Sequence, residues 1–183
     1  MEDQLNGGKS HSKHLYSLSN PYPVVRVKCE NPYFASMLLD DYAGISGELT
    51  AINQYIYHCI TLQDSHPTIA ILARQVAITE MQHLEMIGKT IQLLGKLPIP
   101  QSSHNGISEF WSAKNVYYGQ SVFDKLSANI KHEMDAISMY KSHLRRIDDP
   151  FIRELLKRII LDEEYHLWLF TNCRDDFCNS FYF

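Results

Sequence analysis

Two stretches of the chain share one spacing, Glu80-Met81-Gln82-His83 and Glu163-Glu164-Tyr165-His166. A carboxylate and an imidazole three residues apart leave the same face of a helix, one turn apart. The glutamate and histidine content of the 183 residues would give roughly half of one such Glu-x-x-His by chance. A single instance would therefore mean little, whereas two in matching places constrain the fold. Upstream of each stands a lone glutamate, Glu48 before the first and Glu133 before the second. The order Glu, Glu-x-x-His, Glu, Glu-x-x-His is the ligand set of a carboxylate-bridged pair of metal ions inside a four-helix bundle.

The surrounding sequence supplies the helices. Asn31-Pro32 is a start signal, a capping side chain followed by proline at the first helical position. Tyr33–Leu62 then carries Met37, Leu38, Ile45, Leu49, Ile52, Ile56 and Ile60 at helical spacings. Gly44 and Gly47 weaken its middle by about 1 kcal/mol each against alanine, which predicts a kink or a close helix contact. A turn at Gln63–His66 leads to Pro67 and a second helix that runs to about Leu94, with Gly95 as its stop and Pro98 and Pro100 beyond. Residues 96–120, with prolines, glycines, serines and scattered aromatics, are long for a loop but suit a crossover spanning the length of a bundle. Ser121 and Asp124 cap a third helix to about Arg146, and Asp148-Asp149-Pro150 starts a fourth to about Cys173. The expected architecture is all-α, a four-helix bundle with one long crossover between helices 2 and 3. Residues 1–30 are expected as a flexible lead-in, of which Val24–Glu30 could lie extended against the bundle. Residues 31–174 would form the bundle, and 175–183 an aromatic tail that packs on it or on a neighbouring subunit.

An internal repeat supports this arrangement. Laying Glu48 on Glu133 aligns Ala51 with Ala136, Ile52 with Ile137, Tyr55 with Tyr140 and His58 with His143. With a shift two residues smaller, Glu80 falls on Glu163, His83 on His166 and Pro67 on Pro150. Two copies of one helical hairpin, joined by the crossover, would bring both ligand sets to a shared centre. Four carboxylates and two neutral imidazoles carry a charge of −4, which two divalent ions cancel. Without metal the same cluster would be repulsive, since unpaired buried charges cost several kcal/mol each. Oxygen and nitrogen ligands without thiolate suit iron or manganese.

Other residues are assigned by position. Tyr55 and Tyr140 lie near the ligand face and could donate hydrogen bonds to ligand carboxylates, or be ordinary core tyrosines. His58, His132 and His143 are rotated off that face and are expected at helix interfaces or the surface, as are Glu85 and Glu164 at the periphery. His11 and His14 belong to a polar tail. Cys29, Cys59, Cys173 and Cys178 form no Cys-x-x-Cys and read as free thiols. The formal charge of −4 argues against nucleic acid as a partner. No apolar run reaches the roughly 18 residues of a membrane helix, and no apolar signal core stands at the N-terminus. A soluble, cytoplasmic protein without a membrane partner is expected.

The pattern Glu48, Glu80/His83, Glu133, Glu163/His166, over roughly residues 33–172, resembles the ferritin-like superfamily, nearest to rubrerythrin-type and manganese-catalase-type proteins. Gly47-Glu48-Leu49-Thr50-Ala51 and Glu80-Met81-Gln82-His83-Leu84-Glu85-Met86-Ile87 are similar to the smaller manganese-catalase relatives, spore-coat proteins among them. The resemblance implies that Glu48 and Glu133 are terminal ligands, that Glu80 and Glu163 bridge or lie beside the bridge, and that His83 and His166 each serve one metal. Rubrerythrins usually carry a domain with paired Cys-x-x-Cys motifs, absent here, and a further glutamate where this chain has Ala136. A catalase needs no outside electrons, although full manganese catalases are longer than this chain. The leading expectation is a di-iron or di-manganese oxidoreductase acting on hydrogen peroxide or dioxygen, of catalase or peroxidase type. A peroxidase would need a separate electron-donor protein, and a homo-oligomer, dimer or larger, is expected. The alternatives are an iron-binding ferroxidase storage protein and a coat or structural protein that retains the metal site.

Overall fold

The computed structural model of the chain describes residues 16–104 and 107–179. Its helices are α1 (Pro32–Ala43), α2 (Glu48–Leu62), α3 (Pro67–Leu93), α4 (Val122–Arg146) and α5 (Pro150–Asn179). The first helix of the bundle is therefore broken into α1 and α2 at the two glycines. Asn31 starts α1, its side chain accepting from the amides of Tyr33 and Phe34 at 3.1 Å. At Gly47 the chain passes so close to the end of α1 that a Cβ would lie 2.7 Å from the carbonyl oxygens of Asp40 and Asp41. The expected kink is a full interruption because backbone meets backbone there. Thr50 closes the gap, donating from Oγ1 to the Gly44 carbonyl at 2.8 Å and accepting from the Trp111 indole at 3.0 Å.

The other boundaries follow their capping chemistry. Gly95, at φ +90°, ends α3, and the Lys96 amide reaches back to the Ile91 carbonyl at 3.2 Å, the pairing that a left-handed glycine makes possible. Ser121 and Asp124 form a reciprocal capping box at the start of α4. The Asp149 carboxylate accepts from the amides of Phe151 and Ile152 at the start of α5. Helix α5 runs to Asn179 rather than stopping near Cys173, which places Phe177 against His66 with ring centroids 5.5 Å apart. The first part of the expected tail is thus helix packed on the bundle, and residues 180–183 lie outside the described residues. The crossover carries a small antiparallel hairpin, β1 (Gln101–His104) and β2 (Ile107–Phe110), which the sequence pattern had not predicted. It is tied along α2 where Gln54 accepts from the Tyr117 amide and the His58 ring meets the Tyr117 carbonyl.

Residues 16–30, the described part of the expected lead-in, are strapped to α5 and its cap. Arg158 donates to the Asn20 and Leu18 carbonyls at 2.8 Å. Asp162 accepts from the Leu18 amide at 2.8 Å, and Asp149 from the Lys28 amide at 2.6 Å. His11 and His14 lie outside the described residues. The core is two apolar clusters, one around Leu38, Ile91 and Leu156 and the other around Leu62, Val76 and Phe170. Between them, midway along the bundle, lies a buried polar layer. Among the described residues no helix is long and apolar enough to cross a membrane.

Gly47→Ala should lower unfolding stability by about 1–3 kcal/mol, because backbone cannot yield to the added Cβ. Gly88→Ala should be near neutral, because its Cβ meets side chains alone, Tyr42 at 3.3 Å and Pro98 at 3.7 Å, and a helix interior gains about 1 kcal/mol on losing glycine. Urea denaturation of the two variants distinguishes these outcomes.

Candidate metal centre

The polar layer contains all six residues singled out by spacing. Glu48 opens α2 directly after the glycine break, Glu80 and His83 face inward from α3, Glu133 from α4, and Glu163 and His166 from α5. None is more than 4% exposed. His83 Nδ1 lies 2.9 Å from Glu80 Oε2, 3.0 Å from Glu163 Oε1 and 3.8 Å from Glu48 Oε1. His166 Nδ1 lies 2.9 Å from Glu80 Oε1 and 3.5 Å from Glu163 Oε2. Two groups result, Glu48, Glu80, His83 and Glu163, and Glu80, Glu133, Glu163 and His166, each with one donor atom per residue within 4.8 Å of the others. Glu80 and Glu163 belong to both.

The way these atoms meet fits a metal pair better than a hydrogen-bonded network. Glu80 Oε1, Glu163 Oε1 and His166 Nδ1 are buried and close to one another's groups, yet none makes an aligned hydrogen bond among the described residues. Buried polar atoms are nearly always paired, so atoms that converge without pairing point at a common centre. The remaining oxygens are held across the bundle. The Tyr55 hydroxyl donates to Glu133 and the Tyr140 hydroxyl donates to Glu48, so each half of the repeat orients the carboxylate of the other.

Both imidazoles turn Nδ1 inward and Nε2 outward. His83 Nε2 meets Asp162 Oδ2 at 3.2 Å and the Tyr22 hydroxyl at 3.1 Å, and His166 Nε2 meets the Tyr16 carbonyl at 2.9 Å. A metal-bound histidine commonly uses its second nitrogen in this way, which fixes its tautomer and orientation. Asp162 and the strap were not identified from sequence. The available signal was an aspartate one residue before Glu163 and four after Arg158, whose guanidinium pairs with it at 2.8 Å. At the repeat-related position stands Thr79, whose hydroxyl reaches the same Tyr16 carbonyl at 3.4 Å.

His58, His132 and His143 lie at helix interfaces. His58 is buried between Asn129 Oδ1 at 2.8 Å and the Tyr117 carbonyl at 2.9 Å, and burial pushes it down to about 4. His143 pairs with buried Asp41 at 2.8 Å. His132 is buried at the edge of the polar layer and is also held below its ordinary value by burial. Glu164 and Glu85 are exposed, paired with Lys141 and Lys89. All four cysteines are free.

Electrostatically the layer divides in two. Burial, then the charges of Glu163 and Glu80, push Glu48 and Glu133 well above the usual carboxylate range. Burial also opposes ionisation of Glu80 and Glu163, but the imidazoles outweigh it and hold both low. Burial would lower His83 and His166, yet the surrounding carboxylates raise both well above their ordinary value. Without metal, Glu48, Glu133, His83 and His166 all hold their protons more tightly than usual, which favours a layer of reduced net charge. This modifies the expectation of simple repulsion, because protons stand where metal charge would otherwise be needed.

Comparison with known proteins places this geometry. The family model described as manganese containing catalase matches residues 11–106, about half of the chain. The chain is 27% identical over 176 residues to a probable manganese catalase of Clostridium acetobutylicum, covering 86% of this chain and 77% of that protein. It is 30% identical over 128 residues to bacterioferritin BfrA of Mycobacterium tuberculosis, covering 67% and 74% respectively. The crystal structure of KatB, a manganese catalase from Anabaena, superposes with a TM-score of 0.74 at 25% identity, over 90% of this chain and 81% of that one.

Metal uptake should release protons from the four raised groups, so apparent affinity should weaken as the pH falls. Their raised values stabilise the metal-free fold at low pH, and that contribution is lost as pH rises through them. The gain in Tm on adding metal should therefore be larger at pH 8 than at pH 5. Calorimetric titration in buffers of different ionisation enthalpy counts the protons, and a count of zero would show that the metal-free layer holds none.

Proposed function

Because the chain belongs to the manganese-containing catalase family, we propose that it is a dimetal oxidoreductase which disproportionates hydrogen peroxide to dioxygen and water. The observation that carries this reading is the sharing of Glu80 and Glu163 between two ligand groups. One ion would be held by Glu48, Glu80, His83 and Glu163, and the other by Glu80, Glu133, Glu163 and His166. Two redox-active ions held there would supply a two-electron reservoir, by which the two electrons and two protons given up by one peroxide, leaving dioxygen, reduce another to two waters. The protein's own groups bind and orient. Asp162 and the Tyr16 carbonyl fix the two imidazoles, Tyr55 and Tyr140 fix the two outer carboxylates, and the strap covers the histidine side against water.

The donor set accepts iron as well as manganese, and the family favours manganese here. Disproportionation consumes no outside electrons, so no donor protein is required. The likeness to bacterioferritin supports a second reading, oxidation of bound iron by dioxygen or peroxide at the same site. Exposed Ile71, Ile78 and Met81 on α3 and Leu161 and Trp168 on α5 recur at helical spacing. They are the surface that association of copies into a homo-oligomer would cover.

Protein loaded with manganese should evolve dioxygen from peroxide with no added reductant. If neither the manganese nor the iron form does so, the catalase reading fails, and ferrous-iron oxidation by the iron form would then favour the second. Glu80→Ala and His166→Ala should each lose bound metal, measured by elemental analysis, and lose turnover with it. Retention of two ions per chain in either variant would remove that residue from the ligand set.

A further inference from the structure

One side of the centre is covered by neither the strap nor the two tyrosines. The strap closes the outer edges of His83 and His166, and Tyr55 and Tyr140 close over Glu133 and Glu48. What remains is a narrow cleft lined by Ser46 and by four pairs related through the internal repeat. The pairs are Glu48 with Glu133, Glu80 with Glu163, Ala51 with Ala136, and Gly47 with His132. The cleft therefore lies on the pseudo-twofold axis of the bundle. Three pairs match in kind, and the fourth does not. The alanine pair and the bare Gly47 bring only methyl groups and backbone to its walls, which as they stand lie too close together for a water, and His132 faces the same space from α4. Ser46 also lines a groove of about 410 Å³ between the α1–α2 break and the crossover, so this corner of the cleft lies nearest that groove.

His132 is more than nine-tenths buried, and its Nε2 has no hydrogen-bond partner among the described residues. The ring is held by packing, edge-on to Tyr55 with centroids 6.0 Å apart. It is absent from both ligand groups. A buried nitrogen left unpaired weakens the fold, so its place is accounted for by something that enters the cleft. A neutral imidazole offers one donor and one acceptor, which suits a small hydroxylic molecule such as peroxide.

We propose that His132 is a substrate-binding residue, whose Nε2 hydrogen-bonds a peroxide that parts the walls of the cleft from the Ser46–Gly47 corner. Because Gly47 stands at the related position, the hydrogen bond comes from one side of the axis only. Peroxide is thereby held off-centre between two otherwise matched ligand groups. This rests on the peroxide reading of the site, but the binding it describes is measurable without turnover. The removal of Nε2 removes one hydrogen bond to the substrate and leaves every ligand in place.

The test uses full-length, metal-loaded His132→Leu and His132→Gln, with azide as a small probe that accepts a hydrogen bond. His132→Leu should keep its metal, and its metal-free form should melt no lower than the parent, since no internal partner is lost. Its Kd for azide and its KM for peroxide should both rise ~tenfold, the loss of one buried hydrogen bond. His132→Gln, whose amide can still donate, should recover part of both. An azide Kd within twofold of the parent in His132→Leu would overturn the proposal, as would loss of metal from that variant. If the parent binds azide but evolves no dioxygen, a His132-dependent azide Kd still upholds binding in the cleft while the catalase reading fails.

Discussion

The meeting of Glu80 and Glu163 between two inward-turned imidazoles is the constraint on which the rest of the molecule depends. Four carboxylates sit in a layer with apolar clusters above and below, where an unpaired charge costs several kcal/mol. The layer cannot be satisfied by its own hydrogen bonds, because several of its atoms converge without aligning. It requires positive charge, as protons or as metal. The apolar clusters on either side supply the cohesion that holds α3 and α5 at this separation, and the layer between them supplies the chemistry. Stability and function are thus divided along the axis of the bundle.

The groups around that layer bind the halves of the chain together. Tyr55 of the first hairpin orients Glu133 of the second, and Tyr140 orients Glu48 in return. Neither hairpin therefore has a complete half-site of its own. The strap adds a third tie, since a backbone carbonyl at Tyr16 and a hydroxyl at Tyr22 stand behind the two histidines. A segment outside the bundle helps to fix the geometry within it.

The six clustered side chains were legible because their signal is local: three-residue spacing on a helix, repeated, with a glutamate ahead of each. Helix starts at Asn31, Ser121 and Asp149 were legible for the same reason, since a cap is read within four residues. The rest depends on contacts distant in sequence. Gly44 and Gly47 announced weakness, but only the carbonyls of Asp40 and Asp41 against Gly47 turn weakness into a break. Residues 16–23 are polar and lack periodicity because they are held chiefly by backbone groups meeting Arg158 and Asp162. Asp162 was concealed within Asp162-Glu163-Glu164, where three adjacent acids on a helix face three directions and only the fold says which are buried. The crossover hairpin has no apolar alternation, and it forms against α1 rather than on its own.

Duplication explains the symmetry of the site, and the departures from it set its two halves apart. The ligands correspond pair by pair, as do Tyr55 with Tyr140 and Ala51 with Ala136. Behind the histidines the correspondence ends. His83 faces the carboxylate of Asp162, which burial would raise but which His83, Tyr22 and Arg158 hold at about 2, whereas His166 faces a neutral carbonyl. An ionised partner makes an imidazole a stronger donor to a metal than a carbonyl does. Two metal ions held there would therefore meet ligands equal in kind but unequal in strength. In the cleft the same inequality appears as His132 opposite Gly47. Asp162 acts from outside the histidine side and His132 from the open side, so the asymmetry spans the centre. A reaction in which one peroxide must give electrons and another take them benefits from two positions that are not interchangeable.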